Sequence, residues 1–425
     1  LRGNPVLHSL RVRSALTSDP FLDPAAIESV PPCLGGMRPK LLFLVTEDWY
    51  FCSHRLPVAR AARAAGFDVV VAARVRAHGE RIRDEGFALR PLSWRRRGGG
   101  VIGAARALTE IARLYRAERP DIVHHVALKP VLFGKLATRL AFGRRPAAPA
   151  PVAAVMGLGS GLTGTGPFAG PRRLALRRVL RLAMRGSRVI AQNPDDEAAL
   201  IGMGIDPPRI ALIRGSGVDT AHFAPLPMPQ GTDARGPEVT VALVGRMLRS
   251  KGVLDAAAAI RRLRGQELAI ALVLAGPTDP DNRDSLNEAE LAALTAAPGV
   301  SWLGRVEDVR TVWRDAAIAV FPSTYGEGLP KALLEAASCG RPIVAADMPG
   351  SREVVRHGET GLLVPPGDVA RLAEAIAVLA GDPARREAMG RAGRVLVERE
   401  FAENIVAGQT LALYRTILCE RKQRK

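Results

Sequence analysis

Glu327 and Glu335 stand eight residues apart in FPSTYGEGLPKALLEAASCG, residues 321–340. The stretch between them is built for burial. Pro330 suits the first turn of a helix, because the N–H it lacks has no partner there and its φ is already helical. Leu333, Leu334, Ala336 and Ala337 then share a face, and Cys339 with Gly340 ends the helix. This places Glu327 ahead of the helix and Glu335 on it. Ionised carboxylates only accept hydrogen bonds, and the helix N-terminus beside Gly328 offers unpaired N–H groups to an anion. A ligand carrying both hydroxyls and phosphates suits that combination. The alternative is that Glu327 caps the helix and Glu335 is a solvated charge.

A second group lies in VGRMLRSKG (244–252), where Arg246 and Lys251 follow an apolar strand and can clamp a diphosphate through charge-assisted hydrogen bonds. Asp279 and Asp281 in PTDPDN have a spacing that can hold a divalent cation, but the surrounding prolines favour a plain turn. No metal is expected.

Two series of short apolar runs position these residues. The first comprises LLFLV (41–45), DVVVAA (68–73), DIVHH (121–125), VAAVM (152–156), RVIAQ (188–192) and IALIR (210–214). The second comprises VTVALVG (239–245), IALVLAG (270–276), VSWLG (300–304), IAVFPS (318–323), PIVAAD (342–347) and GLLVPP (361–366). Helical stretches such as 56–66 and 103–119 intervene, and PLPMPQGTDARGPE (225–238) reads as a linker. The order predicts an α/β chain of two Rossmann-like parallel-sheet domains facing across a cleft, with ligands at the carboxyl ends of the strands.

The 425 residues are 47% hydrophobic, which excludes general disorder, and no run of about 18 apolar residues spans a membrane. Cys33, Cys52, Cys339 and Cys419 are too few and scattered for a disulfide framework or metal knuckle, so a reducing compartment is expected. The net charge of +18 is unevenly placed: residues 37–228 hold 31 Lys and Arg against 14 Asp and Glu, whereas 229–425 hold 26 against 25. The first half therefore meets an anion, be it nucleic acid, a membrane surface or a phosphorylated substrate. LSWRRRGGG (92–100) and GPRRLALRRVLRLAMR (170–185) carry much of that charge, with Arg173, Arg177, Arg181 and Arg185 forming one helical stripe. A basic amphipathic helix of this kind fits an anionic membrane surface, or is a core helix with a solvated basic face. Nucleic-acid binding calls for aromatic stacking platforms, and aromatics are only 4% of the chain. Residues 1–36 lack periodicity and an apolar signal region, and read as an over-extended start or disordered leader ahead of Met37.

VGRMLRSKG, LAGP, WLGRVEDV, FPSTYGEGLPKALLEA, GRPIVAADMPGSREVV and GETGLLVPPGD follow one another in order. Together they resemble the C-terminal half of the retaining, GT-B-fold family-4 glycosyltransferases. The resemblance implies that Glu327 contacts the donor sugar and Glu335 the ribose hydroxyls. It implies that Arg246 and Lys251 neutralise the leaving diphosphate, that backbone around Arg305 and Val306 meets the base, and that Gly328, Leu329 and Pro330 bring helix N–H groups near phosphate or sugar. The first half, through DWYFCSHRLPVARAARAAGFDVVVAA, DIVHHVALKPVLFGKLA, AQNPDDEAAL and IRGSGVDTAHFAP, is similar to a bacterial subgroup that builds capsule, O-antigen and lipid-linked oligosaccharides.

The resemblance implies an acceptor-binding domain over 37–224, a nucleotide-sugar domain over 225–400 and a last helix, 401–425, returning to the first domain. It implies transfer of a hexose or N-acetylhexosamine from a nucleotide sugar, with uridine as the base and no metal cofactor. The acceptor would be a saccharide on polyprenyl diphosphate, at the inner face of the plasma membrane, with His54, Arg55, His125 and Lys129 as candidate acceptor contacts. Three departures stand out. TEDWYFCSHR lacks the glycine pair of many relatives, the usual His-x-His reads His124-His125-Val126, and the usual Asn-Gly-Val-Asp reads Ser216-Gly217-Val218-Asp219. A sugar-nucleotide epimerase of the same architecture is the alternative enzyme.

Overall fold

The structure, a computed structural model, describes residues 38–94, 100–143, 148–155, 157, 169–229 and 238–423, with the side chains of 169–173 excluded. The leader 1–36, Arg95 to Arg97, the side chain of Arg173 and linker residues 230–237 lie outside it.

The first sheet contains β1 (Lys40–Glu47), β2 (Asp68–Arg74), β3 (Ala88–Pro91), β4 (Ile122–Val126), β5 (Ala150–Ala154), β6 (Arg188–Ala191) and β7 (Ile210–Leu212). They run parallel in the order β3-β2-β1-β4-β5-β6-β7. Parallel strands are covered on both faces and so read as continuous apolar runs. In β1, Leu41 and Phe43 pack with Val406 and Tyr414 on one face, while Leu42 and Leu44 pack with Ile111 and Tyr115 on the other. The sequence reading misses β3, an edge strand in which only Leu89 is buried and which ends in Arg90 and Pro91, leaving no apolar run.

The second sheet contains β8 (Val239–Val244), β9 (Ile270–Ala275), β10 (Val300–Trp302), β11 (Ile318–Phe321), β12 (Ile343–Ala346) and β13 (Gly361–Val364), parallel in the order β10-β9-β8-β11-β12-β13. The chain thus forms two doubly wound halves.

The second half ends in the Pro383–Glu400 helix, and the Glu403–Gln423 helix returns to the first. Val406, Leu411, Tyr414 and Ile417 enter the first-sheet core. The Tyr414 hydroxyl bonds His124 Nδ1 of β4, both fully buried. At the crossing, Val218 pairs with Ala402. Gly217 there has φ +74°, and a Cβ on it would lie 2.5 Å from Glu403 Cα. Arg394 Nη1 donates to Phe223 O at 2.7 Å and its Nη2 to Thr220 O at 2.9 Å, fastening the crossover to the second half.

Cys52 and Cys339 are buried free thiols. Among the described residues no helix is long and apolar enough to cross a membrane.

Candidate active site

Each sheet reverses its strand order once, between β1 and β4 in the first and between β8 and β11 in the second. Loops leaving the carboxyl ends of such strands diverge and open a crevice. The two crevices face one another as a cleft of about 720 Å³. Trp49, Tyr50 and His54 after β1, Ala127 after β4 and Gln192 after β6 form one wall. The loops 245–251 after β8 and 322–330 after β11 form the other, and include Arg246, Lys251, Glu327, Gly328, Leu329 and Pro330.

On the second wall, Lys251 Nζ and the Glu327 carboxylate form an ion pair, with about a fifth of each side chain exposed. Arg246 Nη1 donates to Asp279 Oδ2 at 2.6 Å. Asp281 reaches across the cleft to Arg76 Nη2 at 3.0 Å. Both carboxylates of the D-x-D spacing are therefore engaged with arginines, and Asn282 N donates to Asp279 O at 2.8 Å to close a turn. Asp284 accepts from Ser250 N at 3.0 Å, so the 277–286 segment shores up the loop that presents Arg246 and Lys251. Among the described residues no group of three or more His, Cys, Asp or Glu side chains is arranged to hold a metal ion.

Pro330 has φ −67° and ψ 122°, an extended conformation, so the helix is Lys331–Ser338 and Pro330 is its N-cap rather than its first residue. Leu329 is buried with Phe321 and Leu333 in the second-half core. Gly328 is where the two halves touch. Its carbonyl accepts from Asn193 Nδ2 at 2.9 Å, and a Cβ on it would lie 1.9 Å from Gln192 Oε1. Gly157, with φ +85°, leaves the same room from the other side, since its Cβ would meet Gly328 N at 2.6 Å. Lys331 Nζ also spans the gap, donating to Ser53 O at 2.9 Å.

Glu335 sits one helical turn behind Lys331, whose Nζ is 3.9 Å away, with 12% of its side chain exposed. Burial pushes its carboxyl above the usual range, and Lys331 only partly opposes this. Arg305 and Val306 follow β10. Arg305 is exposed and Val306 packs against the core, and neither side chain lines the cleft.

On the first wall, the His54 ring stacks on Tyr50 with centroids 4.1 Å apart. Burial, with Lys331 and Arg55 nearby, pushes the imidazole down to about 3, so it is neutral. Its Nδ1 is buried without a hydrogen-bond partner. Ala127 adopts φ +75°, a conformation costly for a residue with a Cβ, and it does so on the cleft wall.

Three of the acceptor candidates are corrected by the structure. Arg55 is 1% exposed and lies in the core near Tyr50 and Tyr414. His125 is equally buried, its Nε2 bonded to Tyr115 OH at 3.0 Å, and its ring occupies the space a Cβ on Gly134 would need. Lys129 lies half-buried over the rings of Trp94 at 5.3 Å and Phe133 at 5.8 Å, off the cleft wall. Arg55 ends the Asp48–His54 helix after β1, His125 lies within β4 and Lys129 is in the Leu128–Phe142 helix, and pleat and helix packing turn each away from the cleft. Trp49, Tyr50 and Gln192 are site residues the sequence reading passes over. Gln192 carried a signal, as the last residue of the run RVIAQ at a strand's carboxyl end.

Residues 40–193 match the family described as Glycosyl transferase 4-like, and residues 238–382 match Glycosyl transferases group 1. The chain is 35% identical over 230 residues to an alpha-maltose-1-phosphate synthase of Mycolicibacterium smegmatis, covering 50% of this chain and 58% of that protein. It is 29% identical over 180 residues to the capsular polysaccharide biosynthesis glycosyltransferase CapM of Staphylococcus aureus, covering 42% and 47%. The chain thus spans about half the length of these curated relatives. Among solved structures, Anabaena HepE in complex with UDP-glucose superimposes with TM-score 0.69 at 18% identity, covering 89% of this chain and 99% of that one. Sucrose-phosphate synthase from Thermosynechococcus elongatus gives 0.71 at 21% identity, covering 89% and 99%. Each half thus matches a glycosyl transferase family model in turn, and the two-sheet architecture joining them is a GT-B-type fold.

Proposed function

We propose that the chain transfers a hexose or N-acetylhexosamine from a UDP-sugar, with retention at the anomeric carbon, to a lipid-linked saccharide. The observation that carries this reading is the convergence of Lys251, Glu327 and Arg246 on the cleft wall formed by the loops after β8 and β11. Two cations and a carboxylate there match a diphosphate joined to a hydroxyl-rich sugar. HepE, of the same fold, is described with UDP-glucose, which favours uridine.

In this reading the bond from the anomeric carbon to the diphosphate oxygen breaks, and a bond to the acceptor hydroxyl oxygen forms on the same face. The acceptor's proton passes to the departing phosphate. Arg246 and Lys251 hold the charge that builds on the diphosphate, and such fixed cations in a water-poor cleft stabilise the transition state most. Glu327 orients the donor sugar, Glu335 accepts from the ribose hydroxyls, and backbone around Arg305 and Val306 borders the base. Gly328, Leu329 and Pro330 bring the helix N-terminus to the sugar phosphate. His54, neutral and with a free Nδ1, is the remaining acceptor contact of the original four. The side chains are assigned this chemistry without a metal ion. A polyprenyl-diphosphate saccharide is the acceptor class that the basic first half favours, at the inner face of the plasma membrane.

Turnover of a nucleotide-sugar panel by the full chain, with and without membrane lipid extract, tests the reading. Lipid-dependent UDP release depressed by Glu327→Ala and Glu335→Ala supports it. Lipid-independent isomerisation of the donor would instead assign an epimerase.

A further inference from the structure

Lys331 belongs to one half of the molecule and is bonded to the other. It opens the Lys331–Ser338 helix on the cleft wall, one turn ahead of Glu335. Its Nζ lies 3.9 Å from Glu335 Oε1 and donates at 2.9 Å to Ser53 O on the facing wall. The same ammonium therefore serves the carboxylate assigned to the ribose and a main-chain carbonyl of the opposite half.

The Ser53 carbonyl is open to this bond for a local reason. It belongs to the last turn of the Asp48–His54 helix, where carbonyls lose their intrahelical donors. The residue four positions on, which would supply an N–H if the helix continued, is Pro57, in the first turn of the Leu56–Ala64 helix. A carbonyl at the cleft edge is thus left for a donor from elsewhere, and the second half provides one. Glu335 depends on the same lysine. Burial raises its carboxyl above the usual range, and Lys331 is the charge that opposes this. His54, next to Ser53 in the chain, also feels the ammonium: burial first, and Lys331 second, push its imidazole down to about 3. With the halves apart, Lys331 would still meet Glu335 but not Ser53.

We infer that Lys331 is a positioning residue that couples seating of the donor's ribose on Glu335 to closure of the first wall onto the second. This coupling deepens the proposed donor site and rests on that reading. Ribose hydroxyls that donate to Glu335 take over the carboxylate and leave the ammonium to Ser53, so an occupied donor site favours the closed cleft. By linkage, closure favours the nucleotide by the same factor. Arg76 and Asp281 also meet across the cleft at 3.0 Å, but both are about half exposed, where an ion pair contributes little.

Hydrogen exchange of the full chain, with and without saturating UDP, tests the coupling. UDP is assigned to the second wall, whereas the Asp48–His54 amides report on the first. UDP is expected to slow their exchange in the wild type. In Lys331→Met that protection should be lost with UDP still bound, and UDP affinity by calorimetry should fall about fivefold, the low end of coupling between two sites. Lys331→Arg, which keeps the charge and the donors, should restore the protection, and Arg76→Gln should retain it. UDP that binds without protecting the Asp48–His54 helix, protection that persists in Lys331→Met, or an equal loss in Arg76→Gln would each overturn the coupling and leave the donor reading intact. A wild type that binds no UDP would instead fell the donor reading, and the coupling with it.

Discussion

Lys251 and Glu327 are ion-paired on the cleft wall, so the cation assigned to the leaving diphosphate is held by the carboxylate assigned to the donor sugar. Arg246 is held likewise by Asp279 at 2.6 Å. A diphosphate must therefore compete with protein carboxylates for its cations. Glu327→Gln removes one competitor as well as the contact to the sugar. Its turnover should fall by a factor of about a hundred or more, the scale of one lost transition-state contact, while its affinity for UDP alone holds or rises. Steady-state kinetics beside UDP titration checks this; a parallel loss of UDP affinity would place Glu327 on the nucleotide instead.

Glu335 is expected to trade stability for binding. Burial raises its carboxyl pKa above the ordinary value of 4.5, so ionisation costs folding free energy at neutral pH. That cost is absent below the unfolded-state pKa and grows as pH rises through the folded-state one. Glu335→Gln should melt higher than the wild type at pH 7, and the gap should close as the pH falls through the raised pKa toward 4.5. UDP affinity should drop about tenfold or more, as for loss of hydrogen bonds to a charged acceptor. Melting curves from pH 4 to pH 8 follow the first effect and calorimetry the second.

Gly328 tests closure separately from donor binding. A methyl group there would lie 1.9 Å from Gln192 Oε1, on the opposite wall. Gly328→Ala should hold the halves apart, cutting transfer strongly while UDP affinity stays within a few-fold, because water exclusion requires the closed cleft. Transfer at the wild-type rate would show that the contact is incidental.

The Tyr414 hydroxyl serves buried His124, whose Nε2 has no hydrogen-bond partner and whose imidazole burial holds far below its usual value. Tyr414→Phe leaves His124 without that bond and should cost about 1–3 kcal/mol, read by denaturant unfolding. Unchanged stability would mean that the returning helix is held by its apolar residues alone.

How far the sequence reaches is clear from particular elements. All six strands of the second half are legible as apolar runs, the inner ones because a parallel strand is covered on both faces and the edge strand β10 through Val300 and Trp302. β3 is not, since Ala88, Leu89, Arg90 and Pro91 hold one large apolar residue followed by a charge and a proline. The loops bearing Arg246, Lys251 and Glu327 are legible because they follow strands whose carboxyl ends meet the cleft. Arg55 and His125 also follow or end apolar runs, but whether a polar side chain there faces cleft or core depends on pleat parity and on Tyr414, Tyr115 and Gly134, contributed by distant helices. Asp279 and Asp281 invite a cation by spacing, and only the fold shows that Arg246 and Arg76 meet them.

Calorimetric titration of the full chain with UDP, repeated on Lys251→Ala, Arg246→Ala and Glu335→Ala, addresses the central claim that this cleft holds a nucleotide sugar through these side chains. The account predicts one site in the wild type, weakened at least tenfold by each substitution. No binding, or binding that all three substitutions leave intact, would contradict it.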